Sequence, residues 1–349
     1  MWLQRLGVQF PSITLVLAEF PIARTFPEAW DRSHSTKRHP ELMAPNKPDK
    51  PRPLAWEDDF SRNTLDNAPF SNVVNVAELT WQRLENLFNN YVDEDLRLDL
   101  DLKTLVAADA FPIPHDDDRE GYSRGNHEWF WLSGLIDWLK IRQVINKRDF
   151  QPRSVLEMGA ASGRVLRHLS AQGKFPELWA FDINNRHVRW VNKFLDPAIR
   201  CFHNHALPHL PIADKQLDLV TAFSVFTHID TFETAWIAEL FRIIKPGGMA
   251  WLTFQTEHTW NSLKDVDKGD LRLGVLKETD WFQPEMLQAP MPAEHLVCRH
   301  SQTGPYRGMV FHHSDYLRQA WGPWFEITEL IPKHHGKDQT VCVMKRLDD

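Results

Sequence analysis

Ser154–Leu169 reads SVLEMGAASGRVLRHL, and this stretch decides the fold. Its apolar start predicts a short buried strand, which is followed by a turn of small residues and then a helix. The turn contains Glu157, Gly159 and Gly163, and the next short apolar run, LWAF, ends on Asp182. A strand, a glycine turn, a helix and an acid at the tip of the next strand are typical of a nucleoside site of the Rossmann kind.

The spacing inside this turn separates two classes of ligand. A dinucleotide carries a pyrophosphate, and its fingerprint is G-x-G-x-x-G ahead of a helix N-terminus. Here the pattern is G-x-x-x-G, with Ala160 and Ala161 between the glycines. S-adenosylmethionine carries a sulfonium, an amino-acid end and a ribose, so the carboxylates of Glu157 and Asp182 suit it better than they suit a pyrophosphate. We therefore expect an S-adenosylmethionine site, with a nicotinamide dehydrogenase and an ordinary strand–turn–helix as the alternatives.

The composition limits the classes of partner. The chain has 349 residues, a net charge of −7 and a pI near 6.2, so no overall field attracts nucleic acid or an anionic membrane. Its three cysteines form no C-x-x-C pair, which indicates a reducing compartment and predicts a cytoplasmic protein. No apolar run approaches the ~20 residues of a membrane helix, and the N-terminus lacks a clean cleavage site for a signal peptide.

Composition shifts also predict how the chain is organised. Residues 1–75 read as a flexible extension, because five prolines fall among charged residues between positions 40 and 53. Residues 76–150 read as a helical cap region. Residues 151–349 form the predicted cofactor domain, in which 256–310 break the strand–helix rhythm and read as an insertion on the substrate side.

Within the cap region the patterns predict individual elements. Apolar residues at helical spacing predict an amphipathic helix that ends near Tyr91. The strictly alternating leucines of 96–102 predict a half-exposed strand. Asn126 can cap a long helix from His127 to about Asn146, with a buried stripe of tryptophan, leucine and isoleucine.

No metal site is predicted. The aspartates of HDDDRE, residues 115–120, are consecutive and cannot all converge on one ion, so this segment reads as a solvated loop. His203, His205 and His209 suggest a cluster, but no carboxylate pattern accompanies them.

Strands and helices alternate from the opening stretch to about residue 254, which predicts an α/β fold with a parallel sheet. The third, fourth and fifth strands are expected at 200–203, 217–223 and 249–254. Two closing strands, at 324–330 and 339–345, are expected to pair antiparallel with each other.

Four segments together resemble the class I S-adenosylmethionine-dependent methyltransferases, and among them bacterial domains of types 11 and 12. They are VLEMGAASG, WAFDIN, LPIADKQLDLVTAFSVFTHI and ELFRIIKPGGMAWLTF. The resemblance covers the run from about 125 to 346. It implies a Rossmann-like, doubly wound, seven-stranded sheet with a terminal antiparallel hairpin, and S-adenosylmethionine as the cofactor.

The resemblance also implies nine cofactor-binding positions: Glu157, Gly159, Ala160, Ala161, Gly163, Asp182, Ile183, Asn204 and Ser224. The first five of these form the turn beside the methionyl end. Asp182 would accept from the ribose hydroxyls, Ile183 would pack beside the adenine, and Asn204 would face the adenine amine. Ser224 would line the transfer channel. Ala161 departs from the glycine that most members carry, which leaves the tightness of the turn open.

The acceptor is predicted less directly. His228, just after the fourth strand, is the candidate general base, and packing against the sheet is the alternative for it. His312 and His313 are weaker candidates for the same role. The segment AFSVFTH occupies the place where base-methylating enzymes carry N-P-P-Y or D-P-P-Y, so we expect no nucleic-acid substrate.

We therefore expect methyl transfer to a hydroxyl of a small-molecule or glycan-type acceptor. The fifteen tryptophans offer stacking surfaces for a sugar, although packing in the core explains them equally. Two alternatives stay open: a catalytically silent S-adenosylmethionine-binding partner module, and an N-methyltransferase acting on a protein or a small molecule. The sequence does not predict the oligomeric state.

Overall fold

The computed structural model describes residues 68–98, 100–121, 123, 125–267, 269–299 and 308–348. Most of the predicted N-terminal extension, residues 1–67, lies outside these ranges. The division into a cap region and a cofactor domain stays a prediction.

A seven-stranded sheet forms the centre of the described chain. Its strand order is β3-β2-β1-β4-β5-β9-β8. The strands are β1 (Ser154–Met158), β2 (Glu177–Asp182), β3 (Arg200–His203), β4 (Leu217–Ala222), β5 (Ile244–Phe254), β8 (Phe325–His335) and β9 (Gln339–Arg346). The first five strands pair in parallel, and β9 runs antiparallel to both β5 and β8. The predicted fold class and terminal antiparallel hairpin are confirmed.

Helices cover both faces of this sheet. They are α1 (Trp81–Tyr91), α2 (Glu94–Arg97), α3 (Leu102–Ala108), α4 (His127–Lys147), α5 (Leu166–His168), α6 (Asn185–Phe194), α7 (Glu233–Ile243), α8 (Glu257–Ser262), α9 (Leu271–Lys277) and α10 (Ser314–Trp321). One apolar core packs α1, α4 and α6 against the sheet, and a second packs α7 and α10. Val155 and Leu156 belong to different cores, so the cores lie on opposite faces of β1.

The long helix α4 follows its sequence closely. Asn126 accepts a hydrogen bond from the Trp129 backbone N–H, which satisfies one of the otherwise unpaired donors at the helix start. The predicted stripe, including Trp131 and Trp138, is buried. The helix therefore anchors the cap region on the sheet and leads directly into β1.

The strand predicted for 96–102 is wrong. The segment instead ends α2 and begins α3, and Leu98 is exposed. The Asp101 carboxylate accepts from the backbone N–H groups of Lys103 and Thr104, which stabilises a helix start at this point. Alternating leucines alone do not make a strand, because β-propensity depends strongly on context.

The predicted insertion has a core of its own, built around Trp260, Leu276 and Phe311. It contains α8, α9 and an antiparallel hairpin of β6 (His295–Arg299) and β7 (Gly308–His312). Two backbone hydrogen bonds, Val310 N to Thr227 O and His312 N to Gln255 O, attach β7 near the ends of β4 and β5. In the described chain, no helix is both long and apolar enough to cross a membrane.

Candidate active site

The turn after β1 has a backbone that favours glycine at two positions. Gly159 and Gly163 have φ values of +68° and +80°. A Cβ on Gly159 would come within 2.5 Å of a methyl of Val225, and one on Gly163 within 2.4 Å of a methyl of Leu195. Ala161 also has a positive φ, +45°, although it carries a Cβ. The turn is therefore tight, and Ala161 adopts the left-handed conformation that most members of the resembling family give to glycine.

Asp182 lies at the end of β2 and closes this turn. One oxygen of its carboxylate accepts from the backbone N–H of Ala161 at 2.8 Å, and the other accepts from that of Asn184 at 2.7 Å. The backbone N–H groups of Gly159 and Ala160 both donate to the Phe181 carbonyl. These contacts hold the carboxylate against the glycine turn.

Glu157 is buried in β1, and its Oε2 atom has no hydrogen-bond partner among the described residues. Burial raises the pKa of Glu157 to about 8, the carboxylates of Asp137 and Asp182 act in the same direction, and the Arg164 guanidinium opposes them. A buried carboxyl oxygen without a partner is costly unless a donor reaches it. Glu157 can thus accept from a donor group that enters beside the turn.

A cleft opens at this point, lined by Glu120, Phe130, Glu157, Gly159, Ala160, Ala161, Ser162, Arg164 and Phe223. Four of the nine predicted cofactor residues line it. Phe130, Glu120 and Phe223 were not predicted, because they come from three segments that share no spacing with the turn. The sequence pattern assigns each of these residues to its own helix, loop or strand, and it does not indicate that the three meet at one cleft.

Three buried charged or ionisable side chains, Arg164, Asp137 and His335, form a chain of ion pairs next to the cleft. Arg164 Nη1 lies 2.7 Å from one carboxylate oxygen of Asp137, and His335 Nδ1 lies 2.9 Å from the other. Burial alone would raise the pKa of Asp137, but His335 and Arg164 outweigh it and hold this pKa well below its usual range. The chain connects the turn to α4 and β8, the two elements that carry Asp137 and His335.

The solvated loop predicted for 115–120 is wrong in part, because Asp118 is buried. Arg186 Nε donates to its carboxylate at 2.7 Å, and the Ser162 hydroxyl donates to its backbone carbonyl at 2.7 Å. Ser162 belongs to the glycine turn, and Arg186 belongs to α6. The loop is thus held against both elements at the mouth of the cleft.

His187 bridges this loop to Asp182. Its ring nitrogens lie 3.3 Å from a Glu120 oxygen and 3.7 Å from an Asp182 oxygen. Burial lowers the pKa of His187, but the nearby carboxylates of Asp182 and Glu120 outweigh it, so the pKa is raised. No sequence pattern indicated this residue.

Asn204 and Ile183 lie next to Asp182, and the adenine-binding roles that the resemblance implies for them stay predictions. The Asn204 backbone N–H donates to the Asp182 carbonyl at 3.1 Å, and the Ile183 carbonyl accepts from His203 Nε2 at 3.0 Å. The Asn204 side-chain amide donates to the carbonyl of His205 at 2.8 Å. Its nitrogen therefore holds the loop after β3.

Ser224 and His228 follow β4 on the side of the insertion. Ser224 has a φ of +57°, and its hydroxyl accepts from Gln339 Nε2 at 3.0 Å. His228 Nδ1 lies 3.0 Å from the Gly308 carbonyl at the start of β7. Of the weaker candidates for the base, His312 is fully buried, and His313 caps α10. Neither Ser224 nor His228 lines the cleft beside the glycine turn.

The sheet order, the glycine turn and the acid at the tip of β2 define a Rossmann-like enzyme that binds a nucleoside cofactor. A family model described as a methyltransferase domain matches residues 135–321, which is more than half of the chain. The chain belongs to this family and is a class I S-adenosylmethionine-dependent methyltransferase. The resemblance seen in the sequence is thereby confirmed, and S-adenosylmethionine is the cofactor.

Individual relatives are distant. Malonyl-[acyl-carrier protein] O-methyltransferase of Hahella chejuensis is 23% identical over 153 residues, which are 41% of this chain and 54% of the relative. The chain thus spans about half the length of this curated relative. Among solved structures, an S-adenosylmethionine-dependent methyltransferase of Methanosarcina mazei is 17% identical with a TM-score of 0.41, covering 59% of this chain and 98% of that one. One from Listeria monocytogenes is 12% identical with a TM-score of 0.44, and the match covers 62% of this chain and 100% of that one.

The residues present fit this cofactor. Glu157 Oε2 is a buried acceptor without a described partner, beside a turn in which a Cβ on Gly159 would collide with Val225. An acceptor at this place suits the ammonium group of the methionyl end. The Asp182 carboxylate lies at the tip of the neighbouring strand, the position from which an acid holds a ribose in folds of this kind.

Proposed function

We propose that this methyltransferase acts on an oxygen of a small hydroxylated acceptor, with sugars as the first class to test. The observation that carries the proposal is His228, placed just after β4 with its Nδ1 3.0 Å from the Gly308 carbonyl. A hydroxyl loses a proton as it attacks, and a positioned base contributes typically 10²–10⁴-fold to such a step. In this proposal the segment from Ser224 to His228 supplies the base, in the place where base-methylating enzymes carry the N-P-P-Y or D-P-P-Y motif that holds the flipped amine.

The contact of His228 sets which ring nitrogen is basic. A carbonyl can only accept, so in the neutral ring Nδ1 carries the proton and Nε2 keeps the lone pair. This tautomer is the one that a general base needs. The Gly308 carbonyl belongs to the insertion, so the same contact orients the ring and ties it to the acceptor side of the molecule.

The cofactor residues would act mainly by positioning. S-adenosylmethionine, when bound, supplies a methyl group on a sulfonium that is already activated to leave. In this proposal Glu157 accepts from the ammonium group, Asp182 accepts from the ribose hydroxyls and Ile183 packs beside the adenine. Asn204 is assigned to the adenine side, and Ser224 to the channel between cofactor and acceptor. Correct placement of two reacting groups can supply much of such a rate enhancement.

A second candidate acceptor is an acid carried on a protein. The observation in its favour is the 23% identity with an O-methyltransferase that acts on malonyl-[acyl-carrier protein]. This candidate keeps oxygen as the reacting atom but changes the acceptor from a free small molecule to a group on a carrier. A carboxylate acceptor needs no base, so His228 would not contribute to that reaction.

The first experiment is calorimetric titration with S-adenosylmethionine and S-adenosylhomocysteine. Micromolar binding is expected in the wild type, with at least a tenfold loss in Asp182→Asn. The control is Asp214→Asn, an exposed aspartate paired with Arg242 away from the turn. Equal affinity in both variants would contradict the site assignment.

The acceptor is then identified by release of S-adenosylhomocysteine with sugars, small amines and malonyl-carrier protein. His228→Gln should lower the rate with a hydroxyl acceptor at least a hundredfold while cofactor affinity is kept. The exposed His209→Gln is the control. Transfer to amines alone would overturn the oxygen assignment, and binding without transfer to any acceptor would favour the catalytically silent module.

A further inference from the structure

Three side chains outside the cofactor cleft converge in the second half of the chain. Glu233, His295 and His312 each offer one ligand atom, and these atoms all lie within 4.8 Å of one another. Glu233 is the first residue of α7. His295 and His312 face each other across the β6–β7 ladder, with ring centroids 5.0 Å apart. The backbone therefore brings the two imidazoles side by side over the start of a helix.

The spacing of these atoms matches that of ligands around a metal ion. Glu233 Oε2 lies 3.2 Å from His295 Nε2 and 3.4 Å from His312 Nε2. A tetrahedral zinc ion with bonds of about 2.0–2.1 Å separates its ligand atoms by about 3.3–3.4 Å. The carboxylate and the two imidazoles are thus already near the positions that such an ion requires.

The protein alone does not satisfy these nitrogens. His295 Nε2 and both ring nitrogens of His312 are buried and have no hydrogen-bond partner among the described residues. The two Nε2 atoms approach the Glu233 carboxylate at ion-pair distance without the geometry of a hydrogen bond. Buried polar atoms in proteins are nearly always paired. In a neutral ring each Nε2 can present a lone pair, so the two unpaired Nε2 atoms indicate a bound ligand that takes up those lone pairs.

The carboxylate is oriented by neighbours that are not ligands. Trp321 Nε1 donates to Glu233 Oε1 at 2.9 Å, and the Tyr316 hydroxyl donates to Oε2 at 3.2 Å. The Tyr316 ring also stacks on His295 with centroids 4.7 Å apart. Such outer contacts fix the orientation of ligating groups in metal sites.

We propose that Glu233, His295 and His312 form a binding site for a zinc-type divalent cation. Two imidazoles and one carboxylate are nitrogen and oxygen donors suited to zinc rather than to magnesium or calcium, which prefer oxygen alone. The ion joins the hairpin of the insertion to α7, which packs on the sheet. Its role is to hold the insertion in place beside the end of β4.

The test uses the full chain, first stripped of metal with a chelator. Titration with Co²⁺ is followed by visible absorption, and titration with Zn²⁺ by calorimetry. One ion per chain is expected, with a visible spectrum typical of tetrahedral cobalt. His295→Gln should weaken binding at least a hundredfold, and Glu233→Gln should do so with its contacts to Trp321 and Tyr316 largely kept. The control is His258→Gln, an exposed histidine of the same insertion.

Thermal unfolding gives an independent measurement. Zn²⁺ should raise the Tm of the wild type and of His258→Gln but not that of His295→Gln. Because His312 is fully buried, its variants are not used to decide the question. S-adenosylmethionine binding by His295→Gln serves as the check that it is folded. Binding of less than one ion per several chains, or equal binding by wild type and His295→Gln, would overturn the proposal and leave the three residues as a polar cluster only.

Discussion

Ala161 is the residue at which the chain departs from glycine and accepts backbone strain. Its φ of +45° lies in the left-handed region, which costs a residue with a Cβ roughly 1–2 kcal/mol. Ala161→Gly removes this cost. Glycine also increases the conformational entropy of the unfolded chain, which offsets part of the gain in stability. We expect a net gain of about 1 kcal/mol in the free energy of unfolding, measured by chemical denaturation.

Ala160 provides the matched control for that prediction. It lies beside Ala161 in the same turn but is not among the positive-φ residues, and it is buried. Ala160→Gly should therefore destabilise the protein, by about 0.5–1 kcal/mol. If both glycine variants lose stability, the positive φ of Ala161 does not cost the protein the free energy assigned to it here.

The raised pKa of Glu157 predicts that the stability of the protein depends on pH, with a contribution that comes from this residue. Its pKa is raised to about 8 by burial, whereas an unfolded glutamate has a pKa near its ordinary value of 4.5. Between these two values the folded state binds the proton that the unfolded state has released. The free energy of unfolding should therefore fall as pH rises from 5 to 8, by at most about 1.4 kcal/mol per pH unit from this group.

Denaturation of the cofactor-free protein at several pH values measures this slope. Glu157→Gln cannot ionise, so its stability should fall less steeply over the same interval. Parallel slopes for the two proteins would show that Glu157 is ionised in the folded state. A greater loss of stability below pH 5 would not bear on this residue, because other carboxylates titrate there.

At the scale of elements, the Arg164–Asp137–His335 chain connects the glycine turn with α4 and β8. Asp137→Asn removes the negative charge that pairs with both Arg164 and His335. Breaking a buried ion pair from one side costs about 3–5 kcal/mol. We expect a loss of this size in the free energy of unfolding, and a weaker affinity for S-adenosylmethionine because the turn loses its support.

An exposed pair between neighbouring parts of the same elements serves as the control. Arg148 Nη2, just after α4, lies 2.6 Å from Glu329 in β8, and both side chains are partly exposed. Glu329→Gln should cost no more than about 1 kcal/mol. Similar losses from both substitutions would mean that burial does not distinguish the two ion pairs.

The elements also show which patterns in the sequence carry information. The stripe of α4 and its Asn126 cap predict that helix correctly, because both are local. Alternation at 96–102 fails, since the Asp101 cap favours a helix start there. The burial of Asp118 was not predictable from HDDDRE, because its partners Ser162 and Arg186 lie 44 and 68 positions away.

At the scale of the whole molecule, the cofactor couples to folding. A ligand that binds only the native state at a hundredfold its Kd stabilises it by about 2.7 kcal/mol. S-adenosylmethionine at this excess should raise the Tm of the protein, and S-adenosylhomocysteine should do the same. NADH is the control and should leave the Tm unchanged. Stabilisation by NADH would instead support the dehydrogenase alternative.

The order of strands and helices along the chain predicts the architecture, because parallel strands joined by helices have few allowed topologies. It also predicts Glu157, Gly159 and Asp182 as parts of one site, since the turn and the acid follow adjacent strands. The order of elements does not predict that Glu233 converges with two histidines of the insertion. It depends on how a separate hairpin packs on α7, and no spacing in the sequence encodes that contact.

The way in which β7 returns to the sheet has a consequence for the evolution of the enzyme. The His312 N–H donates to the Gln255 carbonyl at 2.8 Å, so the insertion leaves and rejoins the main fold at adjacent points. A loop whose ends already touch can change length at little entropic cost, about 0.6 kcal/mol for each doubling. The residues between these points can therefore be lengthened, shortened or exchanged for those of a relative, which would give one cofactor-binding scaffold a succession of different acceptors.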